Sequence, residues 1–72
     1  MEAREINNAK DALEWLRQNP RKELYDEYGN YYWYVPDDNI IEYYHQIDDW
    51  NWDMDRLSEV EFLELGKCDF YI

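Results

Sequence analysis

The stretch KELYDEYGNYYWYVPDDNIIEYYHQI, residues 22–47, decides the fold. Residues 22–35 read as a β-hairpin. The run KELYDE leads into Tyr28-Gly29-Asn30, and the return run YYWYV is almost wholly aromatic and β-branched, the composition of a strand. Gly29-Asn30 supplies the positive φ that a hairpin turn needs. Pro36-Asp37-Asp38-Asn39 is a second turn. It delivers the chain to IIEYYHQI, residues 40–47, whose Ile40, Ile41, Tyr44 and Ile47 would also fit a helical face. The turn before it and its β-forming residues favour a third strand.

Outward from this meander, residues 8–19 read as a helix. Asn8 is the N-cap, Asp11 stands three residues on, and Ala9, Ala12, Leu13 and Leu16 make one apolar face before Asn19-Pro20 stops it. Residues 48–57, DDWNWDMDRL, read as an acidic loop anchored by Trp50 and Trp52. Ser58-x-x-Glu61 is a capping box opening a short helix with Val60, Phe62, Leu63 and Leu65, and Gly66 is its C′ residue. Residues 68–72 read as a last strand. The expected fold is α+β, a single domain over residues 1–72 in the order α-β-β-β-α-β. It is a three-stranded antiparallel meander with a C-terminal strand, an N-terminal helix and a short C-terminal helix.

Strand alternation then assigns faces. Leu24, Trp33, Val35, Ile41, Tyr43, Cys68, Phe70 and Ile72 are expected to meet the helices. The opposite face would show Tyr25, Tyr32, Tyr34, Tyr44 and Tyr71 among Glu23, Glu27, Glu42 and Asp69. Rigid amphipathic rings beside charges have the chemistry of a protein–protein hot spot. The bland alternative is that the N-terminal helix and the Trp loop cover both faces.

Size and composition bound the rest. A chain of 72 residues makes one domain and leaves little room for an enclosed cleft, which weighs against an enzyme. With 46% hydrophobic residues, four Trp and eight Tyr, it holds enough aromatic surface for a small core despite a net charge of -11. One cysteine, Cys68, allows no internal disulfide and fits a reducing, cytoplasmic setting. Neither a signal peptide nor a membrane span is read in the sequence.

The charge is uneven. Residues 1–22 carry five bases and four acids, giving +1; residues 23–72 carry two bases and fourteen acids, giving -12. A domain of this size should be roughly 29 Å across, and duplex DNA of that length carries about 17 phosphate charges, roughly half on one side. The acids after residue 22 can rival one face of a duplex. A merely solubilising surface would mix in lysines, yet only Lys67 lies beyond residue 22, and the acids are interleaved with rings in YDEYGNYYWY and DDWNWDMD.

No motif fixes a reaction. Asp49-x-Asn51-x-Asp53 matches positions 1, 3 and 5 of a calcium loop, but Met54 stands where glycine is required and Val60 where the bidentate glutamate belongs. His45 is the only histidine, has no nucleophile at a known spacing and reads as a strand residue. Cys68 reads as core, Ser58 as a cap, and Gly29 and Gly66 make no phosphate loop. The bases are too few and scattered to bind nucleic acid directly. No cofactor or metal is implied.

In the segments YDEYGNYYWYVPDD and IDDWNWDMD, and in charge, the chain resembles small acidic inhibitors of nucleic-acid enzymes: phage DNA-mimic antirestriction and anti-CRISPR proteins and nuclease immunity proteins. The resemblance is one of composition and transfers no residue-by-residue motif. It implies a stoichiometric inhibitor of a basic, nucleic-acid-binding protein such as a nuclease or a CRISPR or restriction component. Asp48, Asp49, Asp53, Asp55, Glu59, Glu61 and Glu64 would stand in for phosphates, and Tyr32, Tyr34, Trp50 and Trp52 would anchor. The alternative is an adaptor module that binds through its tyrosine face or a sheet edge and is able to act as a homodimer. A calcium-dependent binder is a third reading.

Overall fold

In a computed structural model, residues 4–72 are described and form, in chain order, β1 (Glu5–Ile6), α1 (Ala9–Gln18), β2 (Leu24–Asp26), β3 (Tyr31–Val35), β4 (Ile40–Gln46), β5 (Trp52–Ser58), α2 (Glu59–Leu63) and β6 (Phe70–Tyr71). This is the expected small α+β domain: an open antiparallel sheet in the order β1-β6-β2-β3-β4-β5 with two helices.

The helix termini follow the residues that cap them. Asn8 accepts from the Asp11 N–H at 2.8 Å, and at the far end the Asn19 side chain donates to the Trp15 carbonyl. Ser58 and Glu61 form the reciprocal box, with Ser58 N–H donating to Glu61 Oε1 at 3.0 Å and Glu61 N–H to Ser58 Oγ at 3.1 Å. Gly66 leaves α2 at φ 65°, the left-handed region that suits glycine. Its carbonyl accepts the Ala9 N–H at 2.7 Å, so one of the first-turn donors of α1, which a helix cannot satisfy internally, is used to join the two helices.

Two strands were not read from the sequence. Residues 52–58 are not loop but β5, paired with β4 over its whole length from Gln46↔Trp52 to Ile40↔Ser58. The acidic loop shrinks to residues 47–51, a tight turn in which the Ile47 N–H donates to the Asn51 carbonyl. Asp at alternate positions of WDMDRL disguises the strand, because β5 is an edge and needs no apolar face at Asp53 and Asp55. The other addition, β1, is two residues long and pairs with β6.

Both helices lie on one face of the sheet. Ala9, Ala12, Leu13 and Leu16 from α1 and Phe62 from α2 pack onto Ile6, Leu24, Tyr32, Tyr34, Ile41 and Phe70. Tyr43 and Leu57 extend this layer, and Cys68, half-buried against it, points its thiol at the Leu65 carbonyl.

The facing of β3 is the reverse of that expected. Tyr32 and Tyr34 are buried, whereas Trp33 and Val35 belong to the opposite face. The loop Pro36–Asn39 has an even number of residues and pairs Val35 with Ile40, so odd-numbered residues of β3 share a face with even-numbered residues of β4. Tyr34 therefore sits opposite Ile41 and Tyr32 opposite Tyr43. A run as uniformly apolar as YYWYV carries no alternation from which to read this. The expected facing of Leu24, Ile41, Tyr43 and Phe70 toward the helices, and of Tyr25, Tyr44 and Tyr71 away from them, is observed.

Candidate functional surface

Seven carboxylates between residues 48 and 64 lie along one margin of the molecule, on the β4–β5 turn, the edge strand β5 and the α2 that continues it. Arg56 is the sole base in that span, so residues 48–64 carry 1 − 7 = −6. Asp48 is held: its Oδ1 accepts the N–H groups of Trp50 (2.9 Å) and Asn51 (3.0 Å), and the Asn51 amide closes on both its oxygens. The Asn51 side-chain donor, followed by the Trp50 N–H, holds the Asp48 carboxyl below its ordinary range. Asn51 is thus turned onto Asp48 rather than toward Asp49 and Asp53. Asp49 projects from the same turn beside Trp50, which is 89% exposed.

Asp53 and Asp55 share the helix-side face of β5, about 7 Å apart as alternate strand residues. His45 faces them from β4, with Nε2 3.1 Å from Asp55 and 4.0 Å from Asp53, and its ring lies against Tyr43. On α2, Glu64 is exposed. Glu61 is occupied by the cap, and the Ser58 N–H lowers its pKa. Glu59 pairs with Arg17 of α1 and accepts from the Tyr34 hydroxyl at 2.7 Å. Both contacts, Arg17 first, lower the Glu59 pKa. The phosphate-like set therefore divides. Asp49 and Glu64 are exposed, and Asp53 and Asp55 stay exposed although His45 stands between them, while Asp48, Glu59 and Glu61 also hold the fold.

The expected anchors divide in the same way. Trp50 and Trp52 are exposed. Tyr32 and Tyr34 are core residues, and their hydroxyls end on fixed acceptors: Tyr32 on Asp26 at 2.9 Å, Tyr34 on Glu59 and Asn39. A tyrosine can be buried in this way because its ring fills the core while its hydroxyl finds a partner at the rim.

Burial, then the Asp26 hydrogen bond, pushes the Tyr32 hydroxyl pKa well above its ordinary value of 10.0, and burial likewise raises Tyr43. The folded state holds these protons more tightly than the unfolded chain does. The stability they contribute is complete below about pH 10 and lost above it, at about 1.4 kcal/mol per pH unit for each tyrosine kept fully protonated. Urea midpoints should hold between pH 7 and 9 and fall steeply by pH 11. Tyr32→Phe should flatten that fall; an unchanged pH profile in this variant would remove Tyr32 from the explanation.

The sheet face turned away from the helices carries a second arrangement that the sequence reading did not assemble. Strand pairing puts Glu5, Tyr71, Tyr25, Tyr31, Tyr44 and Met54 in one row across all six strands. Beside it lies a row of Trp33, Glu42 and Arg56, and Trp52 closes the group. The Tyr31 and Tyr44 rings stack at 4.8 Å, Tyr25 and Trp52 lean on Tyr31 at 5.9 and 5.7 Å, and Trp33 meets Tyr44 edge-on at 5.3 Å. Glu42 accepts from the Trp33 indole at 2.6 Å and from the Tyr44 hydroxyl at 3.4 Å. The pairing sum across the Pro36–Asn39 loop is the one signal that could have found Tyr31 and Trp33.

A separate open groove of about 530 Å³ runs between β1 and α1, lined by Arg4, Asp11, Glu14 and Trp15 among others. None of its lining residues is a serine, cysteine or histidine. Among the described residues no cluster of three or more metal-ligating side chains occurs, and no helix is long and apolar enough to cross a membrane. No protein-family model, curated protein or solved structure matches the chain.

Proposed function

We propose that the chain is a non-enzymatic, stoichiometric inhibitor that seats its acidic margin in the basic groove of a nucleic-acid-binding protein, such as a nuclease or a restriction or CRISPR component, in the cytoplasm. The observation that carries this reading is the run of carboxylates from the β4–β5 turn through β5 to α2, flanked by the exposed Trp50 and Trp52. The molecule measures 31 × 31 × 23 Å, a length over which one side of a duplex offers about nine phosphates. Asp49, Asp53, Asp55 and Glu64 supply charge, and Trp50 and Trp52 supply surface that can be buried. Asp48 shapes the turn that presents them.

Charge of this kind acts on encounter rate and is screened by salt. The test is capture of partners from lysate at low and high salt, followed by competition with duplex DNA. The expected partner is a basic nucleic-acid-binding protein that DNA releases, with affinity falling about tenfold or more between ~50 and ~500 mM salt. Asp53→Asn with Asp55→Asn should weaken it about tenfold, as two screened charge pairs would. Retention indifferent to salt and DNA would instead favour the adaptor reading. The open sheet face favours that second reading, since its rings, Tyr25 and Trp52 exposed and the others half-buried, suit burial more than steering.

A further inference from the structure

We infer that the helix-free sheet face is a docking surface for an extended, arginine-bearing segment of a cationic protein. This site shares Trp52 with the acidic margin but lies on the sheet face opposite Asp53 and Asp55, and it stands whether or not the margin fills a nucleic-acid groove.

Three observations converge on that occupant. First, nothing among the described residues covers the face: both helices pack on the other side, yet it presents Tyr71, Tyr25, Tyr31 and Tyr44 in one row with Trp33, Trp52 and Met54 beside it. Rings so placed attract cations over their faces, and the planar guanidinium gains more from this than a hydrated ammonium does. Secondly, the surrounding charge is negative. Glu5 and Glu42 stand on the face; Glu23 accepts from the Tyr25 hydroxyl; and Glu5, Asp69 and Glu27 lie close enough to Tyr71 to help burial raise its pKa. Arg56 is the one base on its strands. Thirdly, one guanidinium already stands at the end of the face, that of Arg56, 4.0 Å from Glu42, the carboxylate that also holds Trp33 and Tyr44.

Charge decides between occupants. A second copy laid face to face would oppose carboxylates to carboxylates, and nucleic acid or anionic lipid would be repelled despite the rings. A cationic segment meets no such penalty. The row from Tyr71 to Met54 spans four strand spacings, about 19 Å, the reach of roughly six extended residues. The rings brace one another, so little ordering is needed when a segment arrives.

The test uses two probes, hexa-arginine and hexa-lysine peptides, titrated into the labelled full chain and followed by NMR. Hexa-arginine should bind about tenfold more tightly than hexa-lysine and move the indole N–H signals of Trp33 and Trp52, leaving those of Trp15 and Trp50 in place. Tyr31→Leu with Tyr44→Leu should reduce hexa-arginine affinity about tenfold, and Glu42→Gln, which spares the rings, should reduce it severalfold. Asp53→Asn with Asp55→Asn should change it less than about twofold, although that pair would weaken capture by a groove partner. Equal affinity for the two peptides, or shifts confined to Trp50 and the β4–β5 turn, would overturn the inference.

Discussion

Phe62→Ala should cost about 3–5 kcal/mol, the usual range for truncating a fully buried phenylalanine. Phe62 is completely buried, meets Tyr32 edge-on at 5.6 Å and lies 5.5 Å from Phe70. It is also the only fully buried side chain of α2, a five-residue helix too short to persist without packing. Its loss opens a cavity and detaches the segment that joins β5 to β6. A domain of this length is expected to hold only about 4–11 kcal/mol in total, so this single change takes away a large share of it. Urea denaturation followed by tryptophan fluorescence measures the loss. Val60→Ala, two residues away and exposed, is the control and should stay within about 0.5 kcal/mol of the parent. A Phe62→Ala midpoint as close to the parent as that control would contradict the packing described.

The second large effect belongs to Asp26, a buried acid near the middle of the sheet. Its Oδ1 accepts the N–H groups of Tyr28 (2.9 Å) and Asn30 (3.0 Å), and its Oδ2 accepts the Tyr32 hydroxyl (2.9 Å) and the Asn30 amide (3.3 Å). One carboxylate thus fixes the β2–β3 turn, where Gly29 takes φ 85°, and satisfies a tyrosine inside the core. Asp26→Ala strands the Tyr32 hydroxyl and the turn donors together, and a stranded buried donor costs about 1–3 kcal/mol by itself. The expected loss is about 2–4 kcal/mol, the turn bonds adding to the stranded hydroxyl. Tyr32→Phe in the Asp26→Ala background should recover part of it, since the hydroxyl needs no acceptor once removed. A double-mutant cycle reads this coupling directly, and additivity of the two losses would show that the contact contributes nothing of its own.

Much of the architecture was legible in the residues. Asn8, Asn19-Pro20 and Ser58-x-x-Glu61 marked helix ends because capping chemistry is local, and each does the work read from it; Gly66 takes a left-handed turn, but one residue beyond the C′ position read for it, since Glu64 is the C-cap of α2. Strands β2, β3, β4 and β6 were found through composition and turns. The edge strand β5 was not. A strand read by its apolar face vanishes when Asp53 and Asp55 occupy that face, and only pairing with β4 reveals it. The same limit governed the surface. The exposure of Trp50 and Trp52 followed from their acidic surroundings, but Tyr32 and Tyr34 were set outward and Trp33 inward, because β3 is apolar at every position. Its facing is decided by the length of the loop that leads to Ile40. Nor could charge alone show that Asp48, Glu59 and Glu61 are engaged within the fold, since their partners Asn51, Arg17 and Ser58 act through geometry.

The unpaired rim of β5 bears on solubility. Laid antiparallel on its own twin with like faces together, the strand would bring Asp53 against Asp55, or one of them against its own copy, in each of the central registers, so at neutral pH the molecule repels the association that a bare strand invites. Acid removes that protection. Near the isoelectric point, about 4.2, the molecule's net repulsion vanishes while the backbone groups of this rim stay open, and self-association should begin there.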